Sequence, residues 1–204
     1  MEKGESDTMR KYIQISLIPD EVSGITQPVL MSHVMQALHN SFVRLKNAGG
    51  TIPFGISFPG YNEQKPTLGD RVRVHLQEKD FSCLDVSSVM SSLQDYVHVT
   101  SPRLIPESRR KGYVSYSRLR HDHGKEKLIK RRMKRHSITR EEAEEFYSDY
   151  QQVFFPSCPF VMMHSSSTGS NTYPLYIQRH FLDFPGEGRF NTFGINPSVG
   201  VERF

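Results

Sequence analysis

Two hydrophobic periods interleave in the first hundred residues, and their order limits the fold more than any other feature of the chain. From Tyr12 to Ile18, the apolar Ile13, Ile15 and Leu17 alternate with Tyr12, Gln14 and Ser16, the period-two pattern of a half-buried strand. The period then changes. Leu30, Val34, Leu38, Phe42 and Leu45 recur at helical spacing between Pro28 and Gly49-Gly50, a proline start and a glycine stop. Alternation returns at Ile52, Phe54, Ile56 and Phe58, ahead of a Pro59-Gly60 turn, and again at Val72, Val74 and Leu76. Asp80 reads as the N-cap of a second helix carrying Phe81, Leu84, Met90 and Leu93, and Val97 to Thr100 as one more short strand. Strand, helix, strand, strand, helix, strand is the split βαβ order of a ferredoxin-like lobe. The expected class is α+β, with 1–10 a disordered N-terminus, 11–102 the ferredoxin-like lobe and 103–204 a diverged second lobe. A scaffold of this kind fixes no activity.

The second half carries the charge. Between Arg103 and Arg140 there are 14 Lys or Arg against 3 Asp or Glu, a balance of +11 in a chain of net +4, so the other 166 residues sum to −7. A concentrated positive field on an acidic body draws a polyanion to one place and repels it elsewhere. Arg109 to Tyr116 reads as a basic approach segment and Lys125 to His136 as a short helix. On that helix Lys127, Lys130, Arg131, Lys134 and Arg135 fall at i, i+3, i+4, i+7 and i+8, one stripe of cations, while Ile129 and Met133 lie elsewhere on its surface. Such a stripe repels itself unless an anion lies along it, either nucleic acid or an acidic protein partner. Thr139 and Glu142 form a capping box opening a helix through Tyr150, and Glu141, Glu142, Glu144 and Glu145 suit its positive end. Phe160–His164 and Tyr173–Gln178 are expected as a hairpin around the polar loop from Ser165 to Asn171, and Arg189–Asn196 as an edge strand.

Composition excludes several classes. No apolar run approaches the roughly 18 residues of a spanning helix, and the polar first residues do not resemble an export signal; no membrane association and a cytoplasmic location are expected. Cys83 and Cys158 are too few for a disulfide framework or a four-cysteine zinc site and read as reduced thiols. A phosphate-binding glycine loop, a nucleophile elbow and a paired-histidine zinc helix are all absent from the sequence. His121-Asp122-His123 suits contact with phosphate or water better than a metal. No metal and no cofactor are expected.

RNA cleavage needs neither, because RNA supplies its own nucleophile in the 2′-hydroxyl. A base must take that proton, a neighbouring group must align the oxygen, and donors must stabilise the crowded phosphate. His39, on the flank of the first helix four residues after Met35, is a candidate base, although the position also suits a structural or merely exposed histidine. Ser165, with Ser166, Ser167 and Thr168, supplies hydroxyls or forms an ordinary flexible turn.

Seven segments carry a family resemblance. Leu30-Met31-Ser32 through Leu38-His39, Gly55-Ile56-Ser57-Phe58-Pro59, Leu68-Gly69-Asp70 through His75, Ser117-Arg118, Lys130 through His136, Glu141-Glu142-Ala143, and Phe160-Val161 through Gly169 follow one another in that order. Together they resemble the type I-F CRISPR repeat-processing endoribonucleases, over about Tyr12 to Phe204. The resemblance implies a ferredoxin-like lobe, a second lobe with an arginine-rich helix, and metal-independent cleavage of CRISPR precursor RNA at the 3′ base of the repeat hairpin. It further implies 2′,3′-cyclic phosphate and 5′-hydroxyl ends, and retention of the protein on the crRNA hairpin, one copy per RNA, beside the backbone and other subunits of a surveillance complex. By the same resemblance His39 and Ser165 are the catalytic pair, and Arg118 and Arg120 read the base of the stem. Lys127, Lys130, Arg131, Lys134 and Arg135 follow the RNA groove, and Tyr173 stacks under the hairpin. Two departures stand out: Phe193 replaces a tyrosine frequent near the family's active site, and Arg120 a common glutamine. Loss of that tyrosine hydroxyl makes a non-enzymatic hairpin-binding cap the alternative reading.

Overall fold

The computed structural model describes residues 11–20, 22–119, 125–150, 158–165 and 171–204. The N-terminal segment 1–10, Arg120, His121 to His123 and Ser166 to Thr168 lie outside the described residues.

The first sheet follows from the alternation. Strand β1 (Lys11–Leu17) is followed by helix α1 (Gln27–Leu45), β2 (Gly55–Ser57), β3 (Arg71–Leu76), a single-turn helix α2 (Val86–Val89), β4 (Val97–Val99) and β5 (Arg103–Leu104). The sheet order is β2-β3-β1-β4, with β5 also on β1, and every pairing is antiparallel. That is the ferredoxin-like order expected from the sequence. Ile13, Ile15 and Leu17 face the same side as Val72 and Val74 and are buried with Leu30, Val34, Leu38 and Phe42 of α1. Pro28 opens α1, where its fixed φ and missing N–H cost nothing.

The second sheet repeats the arrangement. Strand β6 (Tyr113–Leu119) leads into α3 (Lys125–His136) and α4 (Arg140–Phe146), then β7 (Phe160–His164), β8 (Thr172–Leu182) and β9 (Val201–Glu202). Its order, β7-β8-β6-β9, again antiparallel, matches the first sheet with β6 in the place of β1 and β7 in that of β2. Val114, Tyr116, Val161, Met163, Leu175 and Ile177 on one face join the core of the first sheet. Tyr116 and Tyr61 bring their hydroxyls into that seam: the Phe58 N–H donates to Tyr116 Oη (3.1 Å) and Tyr61 Oη donates to the Ile177 carbonyl (3.0 Å). Burial pushes both phenols up to about 12. The two sheets with α1 and α2 form one compact unit, and α3 with α4 form another.

Five expectations are corrected. Asp80 lies inside a 3-10 segment, Glu78–Cys83, which with α2 and a second 3-10 turn Ser91–Leu93 replaces the expected helix, and the cap of α2 is Asp85, whose side chain accepts from the Ser88 N–H (3.1 Å). Phe81, Leu84, Met90 and Leu93 are therefore spread over three short turns. Leu45, at the last residue of α1, is 38% exposed, because the helix ends before it is drawn under the sheet. The basic approach Arg109–Tyr116 runs into strand β6; Val114 and Tyr116 alternate with Ser115 and Ser117, a pattern overshadowed by the neighbouring charge. The helix expected through Tyr150 ends at Phe146. Arg189–Asn196 is a loop bridged at one point to Ile52 through Phe190, and the edge strand is instead Val201–Glu202.

Candidate active site

One end of the core face of the second sheet gathers four of the residues singled out in the sequence. His39 is half-buried on α1, and its Nδ1 lies 2.8 Å from the Thr192 carbonyl oxygen. A carbonyl only accepts, so Nδ1 carries the proton and Nε2 is left with a free lone pair. Phe193, the next residue, stacks on the imidazole with centroids 4.2 Å apart and planes 6° apart. The Arg118 guanidinium stands 5.9 Å from the Phe193 ring and 5.2 Å from the Tyr173 ring. Both Arg118 and Tyr173 belong to the face that carries Tyr116 and Met163, as the pairings Arg118 with Ile177 and Met163 with Tyr173 require.

The turn that presents Thr192 and Phe193 is built from local chemistry. The Asn191 side chain accepts from the Phe193 N–H (2.8 Å), the Gly194 N–H donates to the Asn191 carbonyl (2.8 Å), and the Gly194 carbonyl accepts from Ile56 N–H (2.9 Å) on β2. Gly194 has φ +73°, and a Cβ there would come 2.8 Å from Ile56 Cγ2, so the tight seat against β2 requires glycine. Burial lowers the pKa of His39, aided by the charge of Lys46 and opposed by the bond to Thr192. Partial burial disfavours the charged imidazolium, which keeps the ring neutral at physiological pH.

Ser165 is brought to the same end by the edge of β7. Outward-pointing N–H groups of β7 are taken by α1: Met162 N–H donates to Ser32 Oγ (3.0 Å) and His164 N–H to Gln36 Oε1 (2.8 Å). The Ser165 N–H itself donates to the Asn171 carbonyl (3.1 Å), the last rung of the hairpin. Ser165, half-buried, directly follows the last residue of β7, two positions beyond the buried Met163, which pairs with Tyr173. Ser32, Gln36 and Asn191 were given no role at the site from the sequence. The signal available was a polar row at i, i+4 and i+8 (Ser32, Gln36, Asn40) beside the apolar stripe of the helix, and an Asn three residues before a Gly.

In the other unit, α3 spans the expected residues, and Lys127, Lys130, Arg131, Lys134 and Arg135 are all exposed. Arg132, between them in sequence, is used differently: its guanidinium lies 3.3 Å from the centroid of Phe146 on α4. Glu126 holds Arg140 through two hydrogen bonds (3.2 and 2.9 Å) and Lys130 at 3.6 Å. Among the described residues no group of three or more His, Cys, Asp or Glu is arranged to hold a metal, and no helix is long and apolar enough to cross a membrane.

A profile of the CRISPR-associated protein (Cas_Csy4) family matches residues 12–204 of this chain. The chain belongs to that family. Among its relatives is the CRISPR-associated endonuclease Cas6/Csy4 of Pseudomonas aeruginosa (strain UCBPP-PA14), 31% identical over 197 residues, covering 96% of this chain and all of the relative. The CRISPR-associated endonuclease Cas6/Csy4 of Escherichia coli (strain UTI89 / UPEC) is 28% identical over 198 residues, with the same coverage of both chains. As a Cas_Csy4 protein, the chain has its family match running through both sheets and through α3.

Proposed function

We propose that this protein is a metal-independent endoribonuclease that cuts CRISPR precursor RNA at the 3′ base of the repeat hairpin. The observation that supports this best is the state of His39: a neutral ring, oriented by the Thr192 carbonyl, with Nε2 free to accept a proton. Nε2 takes the proton of the 2′-hydroxyl beside the scissile linkage, with the Ser165 hydroxyl orienting that oxygen. The bond from the 2′-oxygen to phosphorus forms as the bond to the 5′-oxygen breaks, and the 5′-oxygen takes a proton from water. The products are a 2′,3′-cyclic phosphate and a 5′-hydroxyl, and the proton held on His39 returns to solvent.

Arg118 supplies paired donors for a base at the foot of the stem, and Tyr173 a ring for that base pair to rest on; Arg120 shares the reading of the stem base, as the family resemblance implies. Phe193 supports the imidazole by packing alone. The exposed cations of α3 take stem phosphates, since the deep major groove of A-form RNA excludes most side chains from its bases. Residues 103–204 are thus the RNA-binding half. After cleavage the protein stays on the crRNA hairpin as one subunit of a type I-F surveillance complex in the prokaryotic cytoplasm. Incubation of the cognate repeat RNA with the protein in chelator, followed by analysis of the product ends, tests this. Cyclic phosphate ends are expected; linear phosphate ends overturn the mechanism, and tight binding with no cut identifies a hairpin-holding cap instead.

A further inference from the structure

The edge of β7 is satisfied in an unusual manner. An exposed strand edge normally leaves a row of N–H groups to solvent or to another chain. Here two successive outward N–H groups are taken by side chains of one helix, Met162 by Ser32 and His164 by Gln36. The spacing matches on both sides: two strand residues advance about 6.8 Å, and four helical residues advance about 6 Å. Helix and strand are therefore locked in register like two short racks.

The next step of each rack is the candidate active site. Beyond Gln36, His39 lies three residues on, about 4.5 Å along the helix. Beyond His164, Ser165 lies one residue on, about 3.4 Å along the strand. Both positions are reached from the same hydrogen bond, the one from His164 N–H to Gln36 Oε1. The other end of the Gln36 amide is fixed too, with Nε2 donating to Asn40 Oδ1 (2.9 Å). The acceptor is thus oriented by a partner on its own helix, and His164 Nδ1 lies 3.2 Å from Thr172 Oγ1 across the hairpin.

We propose that Gln36, seconded by Ser32, is a positioning residue that sets the Ser165 hydroxyl level with His39 by holding the N–H of the preceding residue. The inference rests on the endoribonuclease reading above and adds to it the residue through which Ser165 is placed. The Gln36 amide is taken up by the His164 N–H and Asn40 Oδ1. Its influence is exerted through Ser165, and a displacement of about 1 Å at such a group costs up to 100-fold in rate.

The test is a double-mutant cycle under single-turnover conditions with saturating full-length protein and the cognate repeat hairpin. Gln36→Met keeps the length of the side chain and removes the acceptor; Gln36→Glu keeps an oxygen for His164 N–H, with the Asn40 amide turned to donate. Gln36→Met is expected to slow cleavage about tenfold with hairpin affinity unchanged, and Gln36→Glu to restore most of the rate. In a Ser165→Ala background, Gln36→Met should change the rate by less than about twofold, since the group it positions is gone. An equal loss in both backgrounds, or no loss in either, overturns the proposal while leaving the endoribonuclease reading intact. Wild-type protein that leaves the hairpin uncut overturns that reading instead, whereas Ser165→Ala that cuts at full rate removes Ser165 from the mechanism and overturns the positioning proposal with it. A measurement on unaltered protein stands beside the cycle: the His164 amide should exchange with solvent slowly despite its edge position. Exchange as fast as that of a free edge N–H removes the clamp.

Discussion

The two sheets have the same strand order, yet they use the first crossover differently. Between β1 and β2 the crossover is α1, nineteen residues long, with Leu30, Met31, Val34, Met35, Leu38, Ser41 and Phe42 buried. Between β6 and β7 it contains α3, where Ile129 alone of twelve residues is buried. A side chain such as Leu or Phe contributes roughly 1.5–3 kcal/mol when fully buried, so α1 is held rigidly by its own core. The general base we propose sits on the flank of that helix, where a ring position is reproducible. The cations sit on a helix with little core to serve, which leaves its surface free to be charged. Positional accuracy and charge have been assigned to different elements.

That division predicts which variant loses which property. The largest effect is expected at His39. His39→Ala should reduce the cleavage rate by roughly 10²- to 10⁴-fold while hairpin affinity, measured by filter binding or anisotropy, stays within about twofold of wild type. Full cutting by this variant in chelator removes His39 from the mechanism. The complementary pair, Arg131→Ala with Arg135→Ala, should weaken hairpin binding and leave the rate at saturating protein nearly unchanged. Each phosphate contact contributes roughly 0.7–0.9 to the slope of log affinity against log salt, so losing two should flatten that slope by about 1.4–1.8. Unchanged affinity assigns the helix to an acidic protein partner instead, and a lost rate at saturation shows that charge and position are not separable here.

A smaller effect concerns the interior of the first sheet. His75 is fully buried, with Nε2 2.7 Å from Ser57 Oγ, and burial, then the charge of Arg73, pushes its pKa down to about 3. In the unfolded chain it titrates near 6.5. The folded state therefore binds fewer protons than the unfolded one between these values, and the stability it contributes is present above pH 6.5 and lost as pH falls toward 3. His39, also shifted downward, acts in the same direction. Between pH 6.5 and 5, before most carboxylates protonate, urea unfolding should show stability falling increasingly steeply, approaching about 1.4 kcal/mol per pH unit from His75 at the lower end. His75→Gln keeps a partner for Ser57 without titrating and should flatten that decline. An equal decline in the variant places the titration elsewhere.

Sequence reasoning reached elements whose pattern is written locally. Ile13, Ile15 and Leu17 announce β1, the spacing from Leu30 to Phe42 announces α1, and Thr139 with Glu142 announces the start of α4. It missed features that depend on a distant neighbour. Nothing near Val201 shows that it will pair with Val114, and nothing in Asp80 shows that Asp85 will win the cap. The site divides in the same manner. His39 stands out by residue type and helical position, whereas the Thr192 carbonyl that fixes its tautomer lies 153 residues away and is a main-chain atom, silent in any side-chain pattern. Ser32 and Gln36 look like ordinary surface polars until β7 is laid beside them.

The smallest predicted effect tests how independent the charged unit is. Thr139 Oγ1 accepts from Glu142 N–H (3.3 Å) and Glu142 Oε2 accepts from Thr139 N–H (2.9 Å), so each end of the box satisfies a donor that the first turn of α4 leaves open. At seven residues α4 is too short to persist alone; it is kept by this cap, by the Glu126–Arg140 pair and by Arg132 on Phe146. Thr139→Ala should cost about 1 kcal/mol, read as roughly fivefold faster hydrogen exchange of the α4 amides. Because α3 and α4 form a compact unit of their own, the loss should open that unit alone and leave the exchange of β1, β3 and α1 amides unchanged. A matching acceleration in β1 and β3 would mean that the helical pair and the sheets unfold as one, and that the cations are held in place by the same core that fixes His39.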